Sequence, residues 1–204
     1  MQYFYLIPEE RFQDLLIPAI TSSWQKRNIN DLAQFRCQLV AESGGRADDS
    51  PQLLSGLQLG RKSRAFRPEV WRILVAEILL LASAELPEID APLESWARLI
   101  GQELAEWRIQ FSPIQQAVLG ARDLFLGCYY RPENAGWNDY ANVCEISASL
   151  RTLHPKSWQP EALKHIPAGE QAEELSYARE WFEQFAAMYQ RAEQAKFVII
   201  CEQI

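Results

Sequence analysis

The chain is poor in the residues from which most catalytic and metal centres are built. It has two histidines, His154 and His165, and four cysteines, with no C-x-x-C pair among them. A zinc site normally takes two ligands from one turn, so that part of the ordering cost is met before the ion arrives. Cys128, Cys144, His154 and His165 contain no such pair, so no metal and no cofactor is expected. The wide separation of Cys37, Cys128, Cys144 and Cys201 also argues against a disulfide framework. It suits free thiols in a reducing cytoplasm, the expected location.

Long apolar runs are missing too. The most apolar segment, ILVAEILLLA at 73–82, is interrupted by Glu77 and is too short to cross a bilayer, so no membrane partner is expected. The opening MQYFYLIPEERF has no basic start and soon meets acidic residues, unlike a signal peptide. Nor is there a basic excess. Twenty Lys and Arg against 27 Asp and Glu give a net charge of -7, which repels phosphate backbones and argues against nucleic acid as a partner. GLQLGRKS falls short of a phosphate loop, because its glycines are one position too close and Arg61 separates Gly60 from Lys62. The G-x-S-x-G elbow, H-E-x-x-H, the EF-hand loop and the dinucleotide fingerprint are all absent.

What is present is an ordinary globular composition, 48% apolar and 23% charged over 204 residues, which predicts one domain spanning 1–204. Tyr3 to Ile7 reads as a buried strand, and Pro8 begins a helix that Pro18 should end or kink near Ile17. A second helix follows from Asp31 to Ser43. Residues 43–66 hold four of the nine glycines and are expected to form a long, mobile connection. Pro68 opens a helix to about Ala84 that is apolar on most sides and belongs at the centre of the domain. Another is expected from Pro92 through Trp96 and Leu104 to Trp107, and Ser112 to Gln115 reads as a capping box opening one to about Leu126. Residues 140–153 fit helix or strand. The longest helix covers about Glu170 to Ala195, and FVIIC after it is a buried strand. The predicted fold is α+β, mostly helical, with a small sheet joining the N- and C-terminal strands.

MQYFYLIPEERFQDLL at one end and YAREWFEQFAAMYQRAEQAKFVII at the other resemble the YfbM-like family of small uncharacterised bacterial proteins. The spacing of Tyr130, Pro132 and Trp137 is similar to that family's Y-x-P…W element. The resemblance implies an α+β fold and a bacterial source, and it carries over no functional residue.

The stretch LGCYYRPENAGWNDYANV at 126–143 gathers polar and aromatic residues between apolar helices. Pro132, Asn134 and Gly136 are explained by turn chemistry, whereas Tyr129, Tyr130, Arg131, Glu133, Trp137 and Asp139 are candidate binding residues. Trp158, in a proline-punctuated loop, is expected to be a further exposed anchor. The other tryptophans, including Trp107, are read as packing residues. Glu77 points with the apolar face of its helix and is either an acid or base of raised pKa or one half of a structural ion pair with Arg64, Arg67, Arg122 or Arg131. Arg61, Lys62, Arg64 and Arg67 form the single basic cluster, either a receptor for a small acidic ligand or a solvated face.

Two functional readings follow. One is a non-enzymatic binding or protein-interaction module using loop 129–140. The other is a small-molecule enzyme with hydrolase-like acid/base chemistry, in which the same loop closes a pocket. Composition sets neither the partner nor the oligomeric state.

Overall fold

A computed structural model describes residues 2–42, 66–125, 127, 128, 130 and 135–203. Of the expected connection at 43–66, residues 43–65 lie outside them, Arg61, Lys62 and Arg64 included, as do Tyr129, Arg131 and Glu133 of the expected binding loop.

Strand β1, Gln2–Pro8, runs into helix α1, Glu9–Arg11, whose first turn carries Glu9 and Glu10 at the positive end of the helix. Of the two outcomes expected at Pro18, an end or a kink near Ile17, the helix does not end. Phe12–Leu16 widens into a π turn, with the Ile17 N–H reaching back to the Phe12 carbonyl, and α2, Ile17–Gln25, continues directly. Proline has no N–H to give and its ring crowds the carbonyl one turn back, and the wider wrap makes room for it. Helix α3, Ile29–Glu42, then packs on α4, Pro68–Ala82. As its all-round apolarity predicts, α4 is central and buries Trp71, Leu74, Val75, Ile78 and Leu79.

The second half departs further from expectation. Helix α5 spans only Leu93–Leu99, because Gly101 at φ +68° takes the left-handed turn that ends helices. Helix α6, Pro113–Leu119, starts at the Ser112–Gln115 capping box as expected, then stops at Gly120, φ +81°, well short of Leu126. Residues 140–153 resolve as helix α7, Tyr140–Arg151. The long helix α8, Gln171–Ala195, ends on left-handed Lys196 and feeds strand β4, Phe197–Gln203.

The fold is α+β, and its termini pair. β1 and β4 run antiparallel from Gln2↔Gln203 to Pro8↔Phe197. Two short strands, β2 (Arg122–Asp123) and β3 (Ala135–Asn138), complete a four-stranded antiparallel sheet in the order β1-β4-β3-β2. Neither was expected, since both come from residues read as helix end and loop. Period-two alternation then divides the interior. Phe4, Leu6, Ile199 and Cys201 face a core built on α5 to α8, whereas Tyr5, Ile7, Val198 and Ile200 face a second core built on α2 to α4. Among the described residues no helix is long and apolar enough to cross a membrane.

Glu77 sits in the second core, 7% exposed, and pairs with Arg36 of α3. The pair is with an arginine outside those expected: of these, Arg122 pairs with Asp139 and Arg67 is an exposed residue at the N-terminus of α4, whereas Arg64 and Arg131 lie outside the described residues. Arg36 lies one turn after Leu32 and three residues before Leu39, on the buried face of α3, so the two helices meet through apolar contacts with one charge pair among them. Removing one partner of such a pair strands the other in low dielectric. Arg36→Met should therefore cost about 2–3 kcal/mol, somewhat below the range for a fully dry pair because Arg36 keeps some solvent contact. Adding Glu77→Leu should recover most of that loss. Urea denaturation of the three proteins checks this, and an Arg36→Met protein as stable as wild type would show the pair to be idle.

Candidate functional site

The described residues of the expected binding loop that carry aromatic rings, Tyr130, Trp137 and Tyr140, are buried or half-buried. Tyr130 is 1% exposed and donates its hydroxyl to Glu202 Oε1 at 2.9 Å. Glu202 itself is buried near the end of β4 and also accepts the Tyr5 hydroxyl at 2.9 Å. This carboxylate escaped the sequence reading, although the strand's alternation, Val198, Ile200, Glu202, would have placed it on the face of the second core. Asp139 caps α7, accepting the Asn142 N–H at 2.8 Å, and pairs with Arg122 at 2.6 Å. Trp137 is half-buried, with its ring 4.8 Å from that of Phe12 and the Arg122 guanidinium 5.7 Å from its centroid. Trp158 is not exposed either. It packs edge-on against Phe182 at 5.0 Å. Tyr130 and Trp158 are thus packing residues, and Trp137 and Asp139 join the local structure around Arg122.

One cluster outside the expected residues has catalytic side chains. Ser95 on α5 donates to Glu174 of α8, and His165 Nε2 lies 3.5 Å from the Ser95 oxygen. A serine nucleophile needs its proton taken by a histidine that an acid holds from the other side. Here the proton goes straight to the carboxylate, and Ser95 is buried at 4% exposure between two helices. The arrangement ties α5 to α8. Among the described residues no group of three His, Cys, Asp or Glu is placed to hold a metal ion. Burial pushes the Cys128 and Cys201 thiols above their ordinary range, away from the reactive thiolate.

The exposed feature lies where a helix was expected. After Gly101 the chain turns outward, and Trp107 stands 69% exposed and Ile109 94% exposed, with Leu104 nearby at 45%. This reverses the packing role expected of Trp107. Between the two exposed side chains, Arg108 points inward. Its Nη1 donates to the Leu119 and Gly120 carbonyls at 2.5 and 2.7 Å, and its Nε to Asp123 at 2.8 Å. Arg108 thereby supplies donors to the carbonyls that α6 leaves open at its C-terminus. Gln115 grips the loop from the other side, accepting from the Ala105 N–H at 2.8 Å and donating to its carbonyl at 2.9 Å. Gln116 donates to the Phe111 carbonyl at 2.9 Å. The loop is therefore pinned at Ala105, Arg108 and Phe111 while Trp107 and Ile109 stay in water.

Gly136 of β3 makes this possible. A β-carbon there would fall 2.3 Å from Arg108 Nη1 and 2.1 Å from the Leu119 carbonyl oxygen. This glycine of the 126–143 stretch, for which turn chemistry is the expected explanation, holds the space into which Arg108 reaches. Gly136→Ala should destabilise the protein by about 1–3 kcal/mol, as overpacking does, and raise hydrogen exchange across 105–111. Gly169→Ala, with nothing within 4 Å of the added carbon, should leave exchange there unchanged. Equal behaviour of the two variants in denaturation and exchange would remove Gly136 from the account. No protein-family model matches the chain, and no curated protein or solved structure is significantly similar to it, so its function is read from this geometry.

Proposed function

We propose that the chain is a non-enzymatic protein-interaction module whose contact surface is the pinned loop bearing Leu104, Trp107 and Ile109. The observation that carries this reading is the display of Trp107 and Ile109 in water on a backbone fixed by Arg108. Exposing a tryptophan and an isoleucine costs solvation and brings no internal packing in return. Rigid aromatic anchors are the side chains that dominate binding energy at interfaces, and a backbone ordered beforehand lowers the entropy lost on association.

The flanks define the partner's chemistry. Glu103 and Glu106 are exposed on either side of Leu104, and the chain as a whole carries a charge of -7. The partner is therefore a protein with an apolar pocket and a basic rim. The same charges disfavour an anionic lipid surface, which the exposed apolar pair alone would suit. The buried Glu77 and Glu202 and the half-buried Asp139 fit this reading, because each serves an ion pair, a helix cap or a tyrosine pair of the fold. The interaction surface differs from loop 129–140, whose described aromatics are buried or half-buried.

Trp107→Ala with Ile109→Ser should weaken a purified partner's binding by about 2 kcal/mol or more, roughly thirtyfold. Unfolding stability should stay within about 0.5 kcal/mol, because both side chains are solvated already. Isothermal titration of wild type and double variant, at low and at raised salt, measures both points. A partner that binds the two proteins alike would place the interface elsewhere.

A further inference from the structure

We propose that the groove along the outer side of β1 is a binding site for a small organic cation with an apolar body, such as an alkylammonium. The groove has a volume of about 590 Å³ and is bounded by Tyr3, Leu80, Leu86, Pro87, Ile89 and Trp181. That volume lies within the range of small-molecule sites, which are mostly apolar with a few placed polar groups. Its origin is topological. Leu6 takes a bridge to Glu85 through bonds to the Glu85 carbonyl and the Ala84 N–H, after which residues 86–90 leave β1, and the gap they open is the groove.

The charged lining is of one sign. Glu88 and Asp90 are the ionisable acids on it, and among the described lining residues there is no lysine, arginine or histidine. Asp90 is held in place by the Tyr177 hydroxyl. Burial, and then that bond to Asp90, push the Tyr177 phenol up to about 12, so it remains a donor throughout the physiological range. The ring of Tyr177 meets that of Trp181 edge-on at 6.2 Å, which fixes the indole at the groove. Tyr3, 42% exposed, offers a second ring. Aromatic faces attract cations through their quadrupole, most strongly where water is partly excluded, and two carboxylates beside them select for positive charge. An apolar trough with aromatic rings and acids, and no cation of its own, fits an ammonium head on a hydrocarbon tail. A carboxylate of the same length would meet only repulsion there.

The test uses the intact protein and three probes of equal chain length, hexylammonium, 1-hexanol and hexanoate, followed by isothermal titration and backbone amide shifts. Hexylammonium should bind saturably at millimolar concentration and shift the amides of 2–5 and 86–90, with hexanol much weaker and hexanoate silent. Glu88→Gln, an exposed position, should weaken hexylammonium severalfold, and Glu88→Gln with Asp90→Asn about tenfold. Trp181→Leu keeps the apolar bulk and removes the quadrupole, so it should weaken hexylammonium while leaving hexanol unchanged. Hexanol binding as tightly as hexylammonium, or no saturable binding by either, would overturn the proposal, as would hexylammonium affinity unchanged by all three variants.

Discussion

The pairing of β1 with β4 is the constraint on which the rest of the molecule is arranged. Seven residue pairs, from Gln2↔Gln203 to Pro8↔Phe197, join strands from opposite ends of the described chain. β4 then lies between β1 and β3, with helices on both faces. Phe4, Leu6, Ile7, Val198, Ile199 and Ile200 are all essentially inaccessible, and each such side chain contributes about 1.5–3 kcal/mol when fully buried. The sheet separates two cores, and each helix hairpin packs against the face it is given.

How much of this was legible follows from how each signal is encoded. The terminal strands are short apolar runs with β-branched members, and α4 and α8 are long with strong patterning, so local chemistry and tertiary burial agree. α5 and α6 were overextended because the apolar residues beyond them continue the helical spacing. Gly101 and Gly120 end both helices through positive φ, a backbone property that side-chain spacing such as that of Leu104 and Trp107 beyond α5 does not display. β2 and β3 have too few residues to show an alternation at all, and they are strands through pairing alone, β3 on the edge of β4 and β2 on β3.

The candidate site was legible in composition and not in orientation. The sequence distinguishes a tyrosine or tryptophan in a loop from one in a helix, but it does not say which way the loop folds. Tyr130 and Trp158 turned in, to Glu202 and Phe182, whereas Trp107 turned out because the residue after it is the one that is anchored. Glu77 shows the same limit at closer range. Its burial could be inferred from its own helix, but its partner lies on α3, forty-one residues earlier, and helix-to-helix register is not a local property.

The terminal pairing also bears on how the chain is made. β1 is made before the rest of the described sheet, yet the strand it pairs with, β4, is separated from it by nearly the whole described chain. A loop of that length closes at an entropic cost that rises only logarithmically with length, so the finished sheet is affordable, but contacts this remote form slowly. During synthesis the edge of Tyr3 to Ile7 that faces β4 therefore waits unpaired until Phe197–Gln203 appears. The nascent protein depends through that interval on α2, α3 and α4 shielding one side of β1, and it is most exposed to chaperones and to aggregation then.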